Sequence, residues 1–436
     1  MMPPLAALGV CLSVAVPQSA LASVSSKADS GQSLRTEIGR RAPKELRGFY
    51  ASRGNRPLWI DSSGRPLEAA TLLLDQLWSA ELDGLQPRKL KPDDLAKALR
   101  RAENGRFADL ARAELALSSA YIRYVTELRQ MPRAAMIYET QALAPVVPTP
   151  AAALESLSAS PSLDEAVRTM NWMTPLYAPL RAALDSEQLT PDLARVIAIN
   201  LARLRALPAI GSGRWVLIDA ASARLWMFEG AKPVGSMKVV VGKPDTQTPA
   251  MAGFLRYAIV NPYWNLPDDL VPSRVTDKVL KQGPGFIRAN RFQLLSSWDD
   301  DAALIDPLKL DWQAVAAGRQ SIRVRQLPGR GNFMGAVKFM FPNPQGIYLH
   351  DTPERDLLKK NARQFSNGCV RLEDALRFGR WILGRPLPRS KTPETRIALP
   401  VIVPIYITYL TALPEAGQVT FRPDVYGRDR AMLAAR

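Results

Sequence analysis

The chain has one histidine, His350, and two cysteines, Cys11 and Cys369, among 436 residues. A thiol becomes a strong nucleophile only as the thiolate, and a neighbouring imidazole is a common way to deprotonate it. His350 lies in Tyr348-Leu-His-Asp-Thr-Pro353 and Cys369 in Ser366-Asn-Gly-Cys-Val-Arg371, both polar and turn-rich. Only a short stretch separates them, so a loop can bring the pair together. Gly368 lets the backbone turn tightly before the cysteine and can aim main-chain N–H groups at a developing oxyanion. Arg371 would favour the thiolate by its charge, or bind a substrate carboxylate through its planar fork. The alternative is a satisfied histidine and a packed, inert cysteine that never meet. One Cys and one His cannot fill a typical zinc site without carboxylates, so a metal centre is disfavoured.

These residues need a rigid carrier, and the sequence changes style where one would begin. From Thr36 to about Leu207 the pattern is helical. Ala70, Leu73, Leu74 and Leu77 share a face after Pro66, which is expected in the first turn. Leu117, Tyr121, Tyr124 and Leu128 share another. Pro92 and Thr190-Pro191 read as helix starts and Gly84 as a stop. Residues 143–163, rich in Pro, Ala and Ser, read as a loop or linker. After Gly211 come short β-type runs at 214–219, 224–228, 237–241, 255–260, 347–350 and 402–409. A helix is expected over 372–383. The fold class is therefore α+β, a helical N-terminal region followed by a mainly antiparallel β domain with a few helices.

Composition narrows the setting. Hydrophobic residues at 47% and charged residues at 22% fit a folded globular chain. The net charge of +16 fits an anionic polymer or membrane partner, but no nucleic-acid module or dense Lys/Arg track is present. Leu5 to Val16 is an apolar run too short to span a bilayer, followed by Ala20-Leu21-Ala22 in small-x-small form. This reads as a signal peptide over 1–22, cleaved after Ala22, with a linker over 23–34. Cleavage would remove Cys11 and leave Cys369 as the one thiol, unable to form an internal disulfide.

The two segments resemble the active-site signature of the L,D-transpeptidases, the YkuD-type catalytic domain. Phe341-Pro-Asn-Pro-Gln-Gly-Ile-Tyr-Leu-His-Asp-Thr-Pro353 is similar to the large periplasmic YcbB-like subfamily. Further similarity lies in Val241-Gly-Lys-Pro-Asp-Thr-Gln-Thr-Pro249, in Asn261-Pro-Tyr-Trp-Asn-Leu-Pro267 and in Phe421-Arg-Pro-Asp-Val-Tyr-Gly-Arg-Asp429. Upstream, Phe49-Tyr-Ala-Ser-Arg-Gly-Asn-Arg-Pro-Leu-Trp59 resembles the subfamily's scaffold.

The resemblance implies a scaffold over 35–207, a catalytic domain over 208–410 and a C-terminal extension over 411–436 that packs on it. It implies a periplasmic enzyme that joins peptidoglycan stem peptides by 3→3 cross-links through a Cys369 acyl-enzyme. His350 would be the general base. Gly368 and Cys369 N–H groups would form the oxyanion hole, Asp351 would orient the imidazole and Tyr348 would line the pocket. Ser366, Asn367 and Arg371 would support the loop. No cofactor or metal is implied, carbapenems would acylate the cysteine, and the mature protein would have no integral membrane segment. The oligomeric state stays open. Water as acceptor would instead give an L,D-carboxypeptidase, and loss of catalysis a peptidoglycan-binding relative. The sequence departs from the wider family at Asn367, where a histidine usually precedes the Gly-Cys pair.

Overall fold

The structure, a computed structural model, describes residues 33–434 apart from 132, 187–188, 300 and 416. The expected signal peptide and most of the expected linker lie outside the described residues. The chain divides into two compact units. The first takes in the described residues up to Met131 and Val147–Trp172; the second takes in the rest.

The first unit is helical because its apolar residues recur on helical faces. Helix Glu68–Trp78 buries Ala70, Leu73, Leu74 and Leu77, and helix Phe107–Gln130 buries Leu117, Tyr121, Tyr124 and Leu128. At the centre sits a buried carboxylate. Glu114 accepts hydrogen bonds from the Tyr50 hydroxyl (2.7 Å) and from the main-chain N–H groups of Leu58 (2.6 Å) and Trp59 (3.0 Å). Ser118 takes the Trp59 indole N–H at 2.9 Å. Burial pushes the Glu114 carboxyl above its ordinary range.

Two local expectations fail. Pro66 lies ahead of its helix, in an antiparallel bridge with Ile60, and Leu67 is the N-cap. Residues 143–163 are not a loop throughout: Pro150–Ser158 is a helix. Thr149 caps it by accepting from the Ala152 N–H, and Pro150 stands in the first turn. Proline there costs nothing, because its missing N–H would be unpaired anyway. Thr190 and Pro191 open helix Pro191–Leu204 in the same manner, as expected.

The second unit carries the strands. In chain order they are β1 (Ile137–Tyr138), β2 (Arg214–Asp219), β3 (Arg224–Glu229), β4 (Lys232–Gly242), β5 (Met251–Val260) and β6 (Trp264–Asn265). Then follow β7 (Phe292–Leu295), β8 (Leu304–Ile305), β9 (Arg323–Gln326), β10 (Val337–Met340) and β11 (Leu349–His350). The last are β12 (Gln364–Ser366), β13 (Val370–Leu372), β14 (Thr395–Thr408), β15 (Ala412–Glu415) and β16 (Gln418–Phe421). The main sheet runs β1-β5-β10-β11-β13-β4-β3-β2-β14, and β14 also pairs with β5, so the path returns on itself. Pairings β1–β5, β11–β13, β12–β4 and β2–β14 are parallel, and the others are antiparallel.

The core of this sheet includes Val216, Ile218, Leu225, Val239, Phe339, Leu349, Val370 and Leu372. Helix Ala375–Leu383 packs on it through Phe378 and Ile382; it starts later than expected because Val370–Leu372 is strand, and Asp374 caps it. A second, smaller core gathers Trp264, Phe292, Leu294 and Val324 around the sheet β6-β9-β7-β8. The segment 421–430 is tied to the main sheet. Tyr426 stacks on Tyr409 with centroids 5.1 Å apart and donates its hydroxyl to the Gly242 carbonyl at 2.6 Å.

Candidate active site

β11 and β13 are neighbours, and their register builds the site. Leu349 faces Val370 and His350 faces Arg371. The Val370 N–H donates to the Tyr348 carbonyl at 3.1 Å. Successive strand side chains alternate between faces. Leu349, Val370 and Leu372 are buried in the main core. Tyr348, His350, Cys369 and Arg371 therefore share the opposite face, with Cys369 diagonal to His350. On the other flank of β11, Lys338 faces His350 across the antiparallel pair with β10. The imidazole thus sits in a row between two cations.

That row sets its charge state. His350 is 2% exposed. Burial, helped by the Arg371 and Lys338 charges, lowers its pKa to about 3. The main-chain carbonyls of Asp351 and Phe333 pull the other way. The imidazole is neutral at physiological pH. Its Nδ1 lies 2.6 Å from the Asp351 carbonyl, which favours the proton on that nitrogen. The Cys369 thiol is pushed up by burial, while the Tyr348 N–H and phenol and the Arg371 charge draw it down. Sγ lies 3.7 Å from the Gly346 carbonyl. Among the described residues no hydrogen bond joins Cys369 to His350, so the resting pair is a thiol and a neutral imidazole.

The remaining expected residues fall around this pair. Asp351 touches the imidazole with its carbonyl and not with its carboxylate. The carboxylate accepts from the Ala336 N–H (2.8 Å) and pairs with Arg355 (2.5 Å), closing the loop before β10. Arg371 pairs with Glu354. Tyr348 is partly buried, and its ring centroid lies 5.7 Å from that of His350. Burial raises its phenol well above the ordinary value.

Ser366 staples the cysteine loop: its hydroxyl accepts from the Gly368 N–H (3.2 Å) and donates to the Cys369 carbonyl (2.6 Å). The Gly368 N–H expected in an oxyanion hole is thus engaged within the loop. Gly368 has φ +114°, a conformation suited to glycine, and a Cβ there would meet Ile347 at 3.1 Å. Its carbonyl accepts from the Thr248 hydroxyl at 2.7 Å.

Asn367 is exposed and lines a cleft of about 490 Å³ together with Lys243, Trp264, Arg274, Lys278 and Phe333. Three cations and no carboxylate line it. A larger cleft, about 1060 Å³, opens beside Asp351, where Arg330, Arg355, Arg380, Arg389 and Lys391 outnumber the one carboxylate. Sequence reasoning missed Lys338, Glu354, Thr248 and these cleft cations. Thr248 falls inside the Val241–Pro249 segment that carries the resemblance, but only its bond to Gly368 marks it out.

The L,D-transpeptidase catalytic domain, YkuD, matches residues 213–403, and the scaffold domain matches residues 44–184. A Haemophilus influenzae protein named "Putative L,D-transpeptidase" is 31% identical over 249 residues, which cover 55% of this chain and 49% of that protein. The chain therefore matches about half the length of that relative. Among solved structures, an L,D-transpeptidase from Mycobacterium smegmatis is 11% identical, covering 45% of this chain and 59% of the other, with TM-score 0.23. The catalytic domain of the Enterococcus faecium (E. faecium) enzyme is 14% identical, covering 45% and 98%, with TM-score 0.18. The chain carries a YkuD-type L,D-transpeptidase catalytic domain, preceded by a scaffold domain.

Proposed function

We propose that this protein is a peptidoglycan L,D-transpeptidase that forms 3→3 cross-links through an acyl-enzyme on Cys369. The observation that carries the reading is the register of β11 and β13, which sets Cys369, the residue just before β13, diagonally across from His350 on one face of the sheet. With Nδ1 donating to the Asp351 carbonyl, Nε2 is the basic nitrogen.

In the first half-reaction Sγ attacks the carbonyl of the third residue of a tetrapeptide stem, and His350 takes the thiol proton. The tetrahedral intermediate collapses to a thioester. D-alanine leaves as the amine, carrying the proton returned by His350. In the second half-reaction the side-chain amine of another stem attacks the thioester and gives its proton to His350. The new amide forms, and the thiolate is reprotonated. A neutral resting pair suits this cycle, because proton transfer accompanies attack and hydrogen bonds of this kind tighten when substrate binds. The cationic clefts beside Asn367 and Asp351 match the carboxylates of stem peptides.

This function places the enzyme in the cell-envelope space where peptidoglycan lies. No described helix is long and apolar enough to cross a membrane. The test is mass spectrometry of purified disaccharide-tetrapeptide incubated with the protein. A cross-linked dimer with released D-alanine is expected. A trimmed tripeptide would assign water as the acceptor, and no reaction would leave a binding role. Cys369→Ala should abolish turnover while retaining the fold; cross-linking by that variant would overturn the mechanism.

A further inference from the structure

We propose that Thr248 is a positioning residue for the acyl-transfer step, fixing the direction of the Cys369 main-chain N–H, and that the C-terminal segment braces it. The inference rests on the acyl-enzyme reading above. A trans peptide is planar, so the carbonyl of one residue and the N–H of the next point in opposite directions. The Gly368 carbonyl is held by the Thr248 hydroxyl at 2.7 Å. The Cys369 N–H, on the same peptide plane, is thereby aimed away from Thr248. Among the described residues no protein group accepts it. Gly368, without a Cβ and at positive φ, offers little resistance to a peptide flip of its own. The restraint has to come from outside the loop.

Thr248 is suited to supply it. It is fully buried. Its hydroxyl also accepts the Gly242 N–H at 2.9 Å, so both its donor and its acceptor capacity are used in one geometry. The turn carrying it is tight: a Cβ on Gly242 would lie 2.1 Å from the Thr246 carbonyl and 2.6 Å from the Thr248 nitrogen. The C-terminal segment closes around this turn. Tyr426 holds the Gly242 carbonyl, Arg428 donates to the Thr248 carbonyl at 3.0 Å, and Gln247 donates to the Tyr426 carbonyl at 3.2 Å. A chain of direct bonds thus runs from residues 426–428 through Thr248 to the peptide bond preceding Cys369.

The test separates reactions that need an oxyanion donor from one that does not. Acylation of Cys369 by a carbapenem passes through a tetrahedral oxyanion, whereas alkylation by iodoacetamide does not. In the full chain, Thr248→Val should slow acylation by roughly tenfold to a hundredfold, below the loss seen when an oxyanion donor is removed outright. Alkylation should stay within about twofold of wild type. Thr248→Ser, which keeps the hydroxyl, should recover most of the acylation rate. Tyr426→Phe should move acylation in the same direction by less. Equal acylation by Thr248→Val and wild type would overturn the inference, as would a parallel fall in both reactions, which marks a general loss of structure. If wild type itself gains no carbapenem mass, the acyl-enzyme reading fails instead.

Discussion

Arg371 stands directly opposite His350 in the parallel ladder between β11 and β13. Two residues back, just before β13, Cys369 lies on the same face. The guanidinium therefore acts on both partners at once and in opposite senses. It disfavours an imidazolium at His350 and favours a thiolate at Cys369. It is held in place by Glu354, and its Nε is buried without a partner among the described residues.

Replacing Arg371 with Met should therefore raise the titration midpoints of both groups. The rate of Cys369 alkylation at neutral pH should fall on the order of tenfold, and the alkylation profile should move to higher pH. The Glu354 carboxylate left behind is 39% exposed, so water can solvate it and the fold should survive. Stopped alkylation at a series of pH values, with a thermal melt as control, checks this. An unmoved profile would mean that Arg371 serves only as a structural tie.

Acid sensitivity follows from the same burial. The folded pKa of His350, about 3, lies below the ordinary value of 6.5. Between those values the unfolded chain binds a proton that the folded protein does not. Stability linked to His350 is therefore complete above pH 6.5 and is lost as pH falls toward 3, by an amount on the order of a few kcal/mol. Urea unfolding at pH 7 and pH 4 should show a smaller acid-induced drop for His350→Asn than for wild type. Equal drops would show that the imidazole gains solvent or a proton without unfolding.

Much of this arrangement is legible in the sequence, and the reasons are physical. Arg214–Asp219 alternates little and is β-branched and aromatic, as a strand buried on both sides should be. The one histidine and the lone cysteine of the described residues drew attention by scarcity. What failed was context. Pro150 reads as a breaker until Thr149 is seen capping the helix it opens. Asp351 was expected to orient the imidazole, but the contact is made by its carbonyl, which every residue has. Lys338 reaches the site by strand pairing alone. Thr248 lies far along the chain from Gly368, and nothing in a single sequence states that pairing.

The helical unit offers a prediction of stability. Glu114→Ala removes the acceptor of two buried main-chain N–H groups, those of Leu58 and Trp59. Each unsatisfied group costs about 1–3 kcal/mol, so a loss of roughly 3 kcal/mol or more is expected in chemical denaturation. Ser118→Ala leaves the Trp59 indole N–H and the Tyr50 hydroxyl one partner short and should cost about 1 kcal/mol. A Glu114→Ala variant as stable as wild type would mean that water fills the site.

Asn367 stands immediately before Gly368 and Cys369, and its surroundings say what a histidine there would do. The side chain lines a cleft with Lys243, Arg274 and Lys278 and with no carboxylate. Positive neighbours disfavour another positive charge, so an imidazole introduced by Asn367→His should titrate below the usual histidine value. Near neutral pH it would be uncharged and able to share a proton with the substrate. In acid it would add to the cationic cleft. The pH–rate profile of acylation should thus gain a new inflection on its acid side, while wild type, with Asn367, lacks it. Added salt screens the cleft cations and should move that inflection back toward the ordinary histidine range. A profile that coincides with wild type across this range would remove position 367 from the proton chemistry and leave it as a lining residue of the cleft.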